Sequence, residues 1–337
     1  MALQASGQIK YSEIIAEFGT PNNGGLGEFR ISENVGSLTN LPLDTGVPQS
    51  GQIKFSDFYS KKLNQVVDLY SIGNSTSRQN AKDRWNTGNV HIVGSTKTGK
   101  SQPPDTVDDR VIINVNATIR SVKGTQTHCA LRTGNWDSGT VLEIEIGTSG
   151  KLYGSGGDGG TGGSANETAG TDGQTGSSAL GIEYPCTVNN LGVIQSGYGG
   201  GGGGGGNTRT TGGGKKSGAV TNGSSGGGGG GGAGLPAGSA GGVSTPLAVG
   251  GGSAGSAGQA GSLSGQATGG GGGTEAGDGG NSSPVNNSAT KAEDGTQPSG
   301  AASGGTGGDN GYAIITNQGS APSLTGGGSL TGRTITS

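Results

Sequence analysis

Residues 251–262 read GGSAGSAGQAGS. Taken in threes they are GGS, AGS, AGQ and AGS, two small residues followed by a polar one. The same beat runs through 156–164 (GGD GGT GGS) and 304–312 (GGT GGD NGY). A helix repeats every 3.6 residues and a strand every 2, so neither produces this period. An extended left-handed chain of the polyproline-II type has three residues per turn and a rise of about 3.1 Å. In that form each residue class lines one of three faces, and two of the faces here are nearly bare. Neighbouring chains can then approach closely and bond through their main chains, which satisfies the pairing that buried backbone groups require. The triplets therefore predict a bundle of polyglycine-II helices, with the third-position residues and the linking loops facing outward.

Composition sharpens the boundary. The chain has 337 residues and 81 glycines, and 64 of those glycines fall after residue 153. The amount is collagen-like, but the frame slips between runs and only six prolines follow residue 153, so a collagen triple helix is excluded. The same composition also suits a disordered Gly/Ser linker. The phase-locked triplets favour order, because dense main-chain bonding offsets the entropy that glycine loses, roughly 1–2 kcal/mol per residue. Apolar residues make up 27% and aromatics 4% of the chain, too lean for two ordinary cores. The only aromatic after residue 199 is Tyr312, which places any conventional core in the first half.

The formal net charge is −3, and the glycine-rich half is more acidic than basic, which argues against a nucleic-acid partner. No apolar run reaches the length of a membrane span. The start, MALQASGQIKYSE, lacks the basic and apolar segments of a signal peptide, so synthesis in a host cytoplasm is expected. Cys129 and Cys186 form no disulfide framework; two buried thiols or one bridge both fit.

An internal repeat opens the chain: SGQIKYSEI (6–14) returns as SGQIKFSDF (50–58). Ser12 and Ser56 are placed as helix N-caps, with Glu13 and Asp57 at the positive ends of the helix dipoles. The first helix is expected to reach Phe18 and stop at Gly19, the second to run from Asp57 to about Leu63. Tyr11 and Phe55 suit hydrophobic staples. A docking module and a plain N-terminal subdomain are equally good readings. VVDLYSI (66–72), NVHIV (89–93), RVIINVNATIRSV (110–122) and TVLEIEIG (140–147) read as strands, with Val111, Ile113 and Val115 on one face and Ile112 and Asn114 on the other. A weaker repeat follows. CALRTGN (129–135), SALGIEY (178–184) and YAIITNQG (312–319) each start a short strand, and GKLYGSGG (150–157) and GVIQSGYGG (192–200) each lead from a strand into glycine. The loops 207–225, 243–250 and 274–300 differ in chemistry and sit between triplet runs, where recognition usually lives.

No catalytic constellation emerges. Gly94–Ser101 (GSTKTGKS) matches the phosphate-binding loop pattern, but Gln102-Pro103-Pro104 follows where a helix must begin, so a solvated hairpin loop is the better reading. His91 and His128 lack partners at ligand spacing. Asp158, Asp172, Asp278 and Asp309 sit in glycine-rich turns without the apolar position of calcium-binding nonapeptides. No metal and no cofactor is expected. Arg209, Lys215 and Lys216 make a basic patch within an acidic half, suited to an anionic surface glycan or to keeping a glycine-rich tip soluble.

SGQIKYSEI and SGQIKFSDFYSKKLN resemble the N-terminal motif of virion structural and tail-fibre proteins of tailed phages, notably T-even-type phages of marine cyanobacteria. CALRTGNWDSGTVLEIEIGTSGKLYGSGGDGGTGG, followed by GYGGGGGGGG, resembles the glycine-rich tail-fibre tips of many tailed phages. The resemblance implies a non-enzymatic tail-fibre or tip protein that binds a host receptor, a glycan or an outer-membrane protein, through loops on stacked polyglycine-II helices. The N-terminal repeat departs from those adhesins. Three parts are expected: 1–70, an attachment module; 71–153, a β-rich region; 154–337, a polyglycine-II bundle with exposed loops. Ile9, Tyr11, Ser12, Ile53, Phe55, Ser56 and Phe58 are assigned to attachment to other tail or baseplate proteins, and Tyr198, Arg209, Lys215 and Lys216 to the receptor. A homotrimer is allowed by analogy with other fibres. An architectural virion protein without a receptor is the alternative, and an ice-binding protein a remote one.

Overall fold

The structure, a computed structural model, describes residues 3–72, 78–101, 109–163, 169–203, 207–211, 220–224, 229, 231–232, 234–242, 305–316 and 322–336. The triplets of 251–262 and the loops 243–250 and 274–300 lie outside the described residues.

Both copies of the N-terminal repeat open a helical turn with the same cap. Helix α1 (Tyr11–Phe18) starts after Lys10, whose amide donates to the Glu13 carboxylate at 2.7 Å; a 3₁₀ turn, Phe55–Phe58, starts after Lys54, whose amide donates to Asp57 at 2.7 Å. The repeat thus encodes a cap, but the acid closes it. Ser12 and Ser56 lie inside the turns and not at their N-caps, because the acid three residues past each lysine reaches back to the free amide. α1 stops at Gly19 (φ 86), as its sequence predicts. The second turn ends at Phe58 and not near Leu63: Tyr59 is extended and Ser60 takes φ 57, which breaks the helix after one turn. Phe18, Phe29 and Phe58 meet edge to face with centroids 5.5–6.1 Å apart, and Tyr11 packs on Phe29 at 6.1 Å. An antiparallel ribbon, β1 (Ser32–Val35) with β2 (Leu38–Pro42), completes this module.

The rest of the β structure is a three-sided parallel solenoid. In chain order come β3 (Asn64–Asp68), β4 (Gln79–Asn80), α2 (Ala81–Asn86), β5 (Val90–Ile92), α3 (Ser95–Thr98), β6 (Arg110–Val115), β7 (Thr118–Arg120), β8 (Cys129–Arg132), β9 (Val141–Ile146), β10 (Lys151–Tyr153), β11 (Ser178–Ile182), β12 (Thr187–Asn190) and β13 (Val193–Gln195). An antiparallel ribbon, β14 (Asn207–Thr211) with β15 (Val220–Ser224), interrupts the series. It resumes with β16 (Tyr312–Thr316), β17 (Ser323–Thr325), β18 (Ser329–Thr331) and β19 (Arg333–Thr336). Three sheets collect these strands: β5-β3-β6-β9-β12-β17, β7-β10-β13-β18 and β4-β8-β11-β16-β19. Four rungs visit the sheets in that order: β6-β7-β8, β9-β10-β11, β12-β13-β16 and β17-β18-β19. Every pairing in them is parallel except β3 with β5.

Inward side chains stack in columns. Val67, Ile113, Ile144, Val188 and Leu324 align in the six-stranded sheet, and Ile119, Leu152, Ile194 and Leu330 in the four-stranded one. All are fully buried except the last of each, Leu324 (43% exposed) and Leu330 (41%), which sit on the final rung. The expected split of β6 holds. Val111, Ile113 and Val115 enter the solenoid core, while Ile112 faces outward and shares a cluster with its β3 neighbour Val66 and with Phe29, Phe58 and Leu43 of the N-terminal module. The boundary expected at 153/154 falls inside these sheets, because β11–β13 and β16–β19 continue the columns that β6–β10 begin. The glycine-rich stretches are insertions at one corner, between the four-stranded and five-stranded sheets, after β10 and after β13.

Candidate receptor-binding platform

Six extended runs leave and re-enter the solenoid at that corner: 154–163, 169–177, 196–203, the segment carrying Gly229 and Gly232, 234–242 and 305–311. Their hydrogen bonds recur every third residue. Along the first run, the amides of Gly156, Gly159 and Gly162 donate to Pro236, Ser239 and Gly242 at 2.9–3.0 Å. Those of Gly157 and Gly160 donate to Tyr198 and Gly201 at 2.8 Å. The carbonyls of Ser155, Asp158 and Thr161 accept from Ser177, Gln174 and Thr171 at 2.7–2.9 Å. Each third of the run therefore serves a different neighbour. Gly197, Gly200 and Gly203 in turn donate to Ser177, Gln174 and Thr171, and Gly305, Gly308 and Gly311 to Gly203, Gly200 and Gly197.

Glycine is required because the main chains touch. A Cβ on Gly157 would lie 1.9 Å from the Gln174 carbonyl oxygen, and one on Gly232 1.9 Å from that of Tyr198. None of the described glycines in these runs takes a positive φ, so the need is for room and not for a left-handed backbone.

The run directions alternate. Gly154 and Gly311 adjoin the solenoid strands, whereas Gly162 bonds Gly242 and Gly203 bonds Gly305 at the other end. The connections 164–168, 204–228 and 243–304 therefore all leave from the end remote from the solenoid. Loops 207–225, 243–250 and 274–300 belong to these connections. Arg209 lies on β14 opposite Asn222 of β15, and Lys215 and Lys216 fall between the two strands, outside the described residues. Tyr198 is a correction: only 3% of it is exposed, burial pushes its phenol pKa up, and its carbonyl is tied into the lattice, so its ring is not on the surface. In the N-terminal set, Ile9 and Phe58 are buried core residues, Tyr11 and Ile53 are half-buried, and Ser12, Ser56 and Phe55 (42%) are exposed.

The corner loop of the first rung, residues 121–128, was not singled out by the sequence. It occupies the place where later rungs insert glycine, and it grips the base of the platform. Lys123 Nζ binds the Asp158 carboxylate and lies 3.3 Å from Ser239 Oγ; the same carboxylate accepts the Ser239 amide. Gly124 bridges Thr175, and Gln126 Nε2 donates to the Asn310 carbonyl at 2.7 Å. The available signal was positional: T-I-R before this loop parallels K-L-Y and V-I-Q before the glycine runs.

The remaining motifs have structural partners. α3 ends before Lys100, between Gly94 (φ 74) and Gly99 (φ 67), and Lys100 Nζ donates to the Ala16 carbonyl. A phosphate loop needs its helix to begin at the lysine. His91 Nε2 lies 2.7 Å from Glu33 Oε1, and His128 Nδ1 3.1 Å from the Lys123 carbonyl. Cys129 and Cys186 are free thiols, pushed up by burial to about 11 and about 12. Among the described residues there is no cluster of three metal-ligating side chains, and no helix is long and apolar enough to cross a membrane.

No curated protein and no solved structure matches the chain. A family model does match, over residues 86–335, a span that takes in the four solenoid rungs and every glycine run and leaves the N-terminal module outside. On that match the chain belongs to the phage tail fibre adhesin Gp38 family.

Proposed function

We propose that this chain binds a host surface receptor, a glycan or an outer-membrane protein, through the loops at the far end of the glycine platform. The observation that carries this reading is the alternation of run directions, which puts the ends of one short connection, 164–168, and two long ones, 204–228 and 243–304, on one side of a main-chain-bonded slab. A slab of this kind is well suited to the task, since loops presented by a rigid scaffold vary without disturbing it. The runs themselves are read as polyglycine-II helices. Their support is the three-residue hydrogen-bond period together with the absence of positive φ among their described glycines. Arg209, Lys215 and Lys216 then offer cationic contacts to an anionic receptor.

The N-terminal module is read as the attachment to other tail or baseplate proteins. Phe55, Ser12 and Ser56 are its outward contacts, while Ile9, Tyr11, Ile53 and Phe58 shape it from within. Exchanging residues 207–225, 243–250 or 274–300 for the corresponding loops of a Gp38-family adhesin with a different host should shift adsorption to that host and leave particle assembly intact. Unchanged host range after all three exchanges would leave the purely architectural role standing instead.

A further inference from the structure

We infer that the outward face of the four-stranded sheet is a second contact strip, for an acidic polysaccharide, independent of the platform loops. Ile119, Leu152 and Ile194 are fully buried in the core, so the residues beside them on β7, β10 and β13 point out of the solenoid. The register places Arg120, Tyr153 and Gln195 side by side in one outward row. With strands about 4.8 Å apart, the row is about 10 Å long, roughly the length of two sugar rings.

Its polar groups are unspent. Among the described residues no hydrogen bond or ion pair engages the Arg120 guanidinium, the Tyr153 phenol or the Gln195 amide, and Arg120 Nε is buried without a partner. Two arginines of the other sheets have carboxylate partners, although Arg110 Nε, like Arg120 Nε, is buried without one. Arg110 is paired with Glu143 at 2.6 Å and Arg132 with Glu183. None of the twelve residues of the four-stranded sheet is acidic, and Lys151 stands exposed in the row next to Arg120. A protein of net charge −3 thus keeps one sheet face purely cationic.

The chemistry selects the ligand. A free planar guanidinium matches a carboxylate bidentately, which a lone lysine does not. A phenol ring beside it offers an apolar surface to the C–H face of a sugar, and the Gln195 amide supplies one donor pair and one acceptor for hydroxyls.

The test measures binding of polygalacturonate, neutral dextran and polyglutamate to the full chain by biolayer interferometry. Polygalacturonate should bind and dextran should not. Arg120→Gln should weaken polygalacturonate by about tenfold or more, the usual scale for losing a charged hydrogen bond. Arg120→Lys should recover only part of this, Tyr153→Thr should also weaken binding, and Lys97→Ala, at an exposed lysine in neither the strip nor the platform loops, should leave it unchanged. Absence of polygalacturonate binding, or equal binding of dextran, overturns the strip. Loss of binding in Lys215→Ala with Lys216→Ala, with retention in Arg120→Gln, moves the site to the platform loops, which overturns the strip and leaves the proposed receptor role intact. Polyglutamate binding as tight as polygalacturonate, unaffected by Tyr153→Thr, points to an acidic protein partner and also overturns it. Circular dichroism melts of each variant separate lost contacts from lost fold.

Discussion

Gly157 shows how little freedom the platform leaves a single residue. Its missing side chain would meet the Gln174 carbonyl at 1.9 Å, and Gln174 is held in turn by its backbone N–H, which donates to the Asp158 carbonyl. Neither backbone can retreat without breaking a three-residue ladder. Gly157→Ala should therefore cost about 3 kcal/mol or more, beyond the usual range for side-chain overpacking, since main chain is harder to move. Gly242 is the control inside the same lattice: nothing lies within 4 Å of its added Cβ and its φ is not positive. Gly242→Ala should stay within about 0.5 kcal/mol of the parent. Thermal melts together with hydrogen exchange at residues 154–177 would read both, and equal effects at the two positions would contradict the close-packing argument. Much of this was legible, because the triplet beat already marks which faces must be bare. The fate of Tyr198 was not. An aromatic at the head of a glycine run looks like a surface contact until the neighbouring runs are known to close over it.

At the scale of elements, the corner loop 121–128 and the first glycine run are joined by Lys123 and Asp158. Burial alone would raise the Asp158 pKa, but the hydrogen bonds from Lys123 and the Ser239 amide outweigh it and hold the carboxyl below its ordinary 3.8. A lowered folded pKa stabilises above the unfolded value and loses that contribution as pH falls through the folded one. The melting temperature of the parent should therefore exceed that of Asp158→Asn by a constant margin at neutral pH. The margin should shrink only below about pH 3.8. A margin that disappears near pH 6 would assign the effect to another group. The N-terminal module gives a second contrast. Phe58 is fully buried among Phe18 and Phe29, so Phe58→Ala should cost about 3–5 kcal/mol of module stability. Phe55, its near neighbour, is exposed, and Phe55→Ala should leave the melt unchanged while lowering incorporation into tails, scored by immunoblot of purified particles. Strand positions were readable here, since the alternation of Val111, Ile112 and Ile113 is the same in any sheet. Their parallel register was not. Inward and outward residues alternate identically in a hairpin and in a solenoid, and the glycine insertions separate β10 from β11 and β13 from β16 so unevenly that no constant repeat length survives. Ser12 and Ser56 misled for a local reason: the repeat carries two cap-forming residues, and the acid reaches the Lys10 and Lys54 amides first.

For the whole molecule, the topology separates the columns that hold the solenoid from the platform proposed to meet the host. The last rung turns its corner between β18 and β19 with Gly332 alone, and the first turns it with residues 121–128. A solenoid rung therefore needs no glycine run to pass from the four-stranded to the five-stranded sheet. The inward columns that carry its core, from Ile119 to Ile194 and from Leu131 to Ile314, make no use of the platform. Apolar burial in such columns, at about 25 cal/mol per Å², remains when the insertions are gone. Replacing 154–177 and 196–311 each by a copy of residues 121–128 should thus give a shorter chain that still melts cooperatively, keeps its β-sheet circular dichroism and enters tails through the N-terminal module. Particles carrying it should fail to adsorb to host cells, because the platform and its three loop connections have been removed together. Retention of adsorption would relocate receptor binding to the solenoid or the N-terminal module. Collapse of the shortened chain into an unfolded one would mean that the glycine lattice, and not the columns, holds the rungs in register.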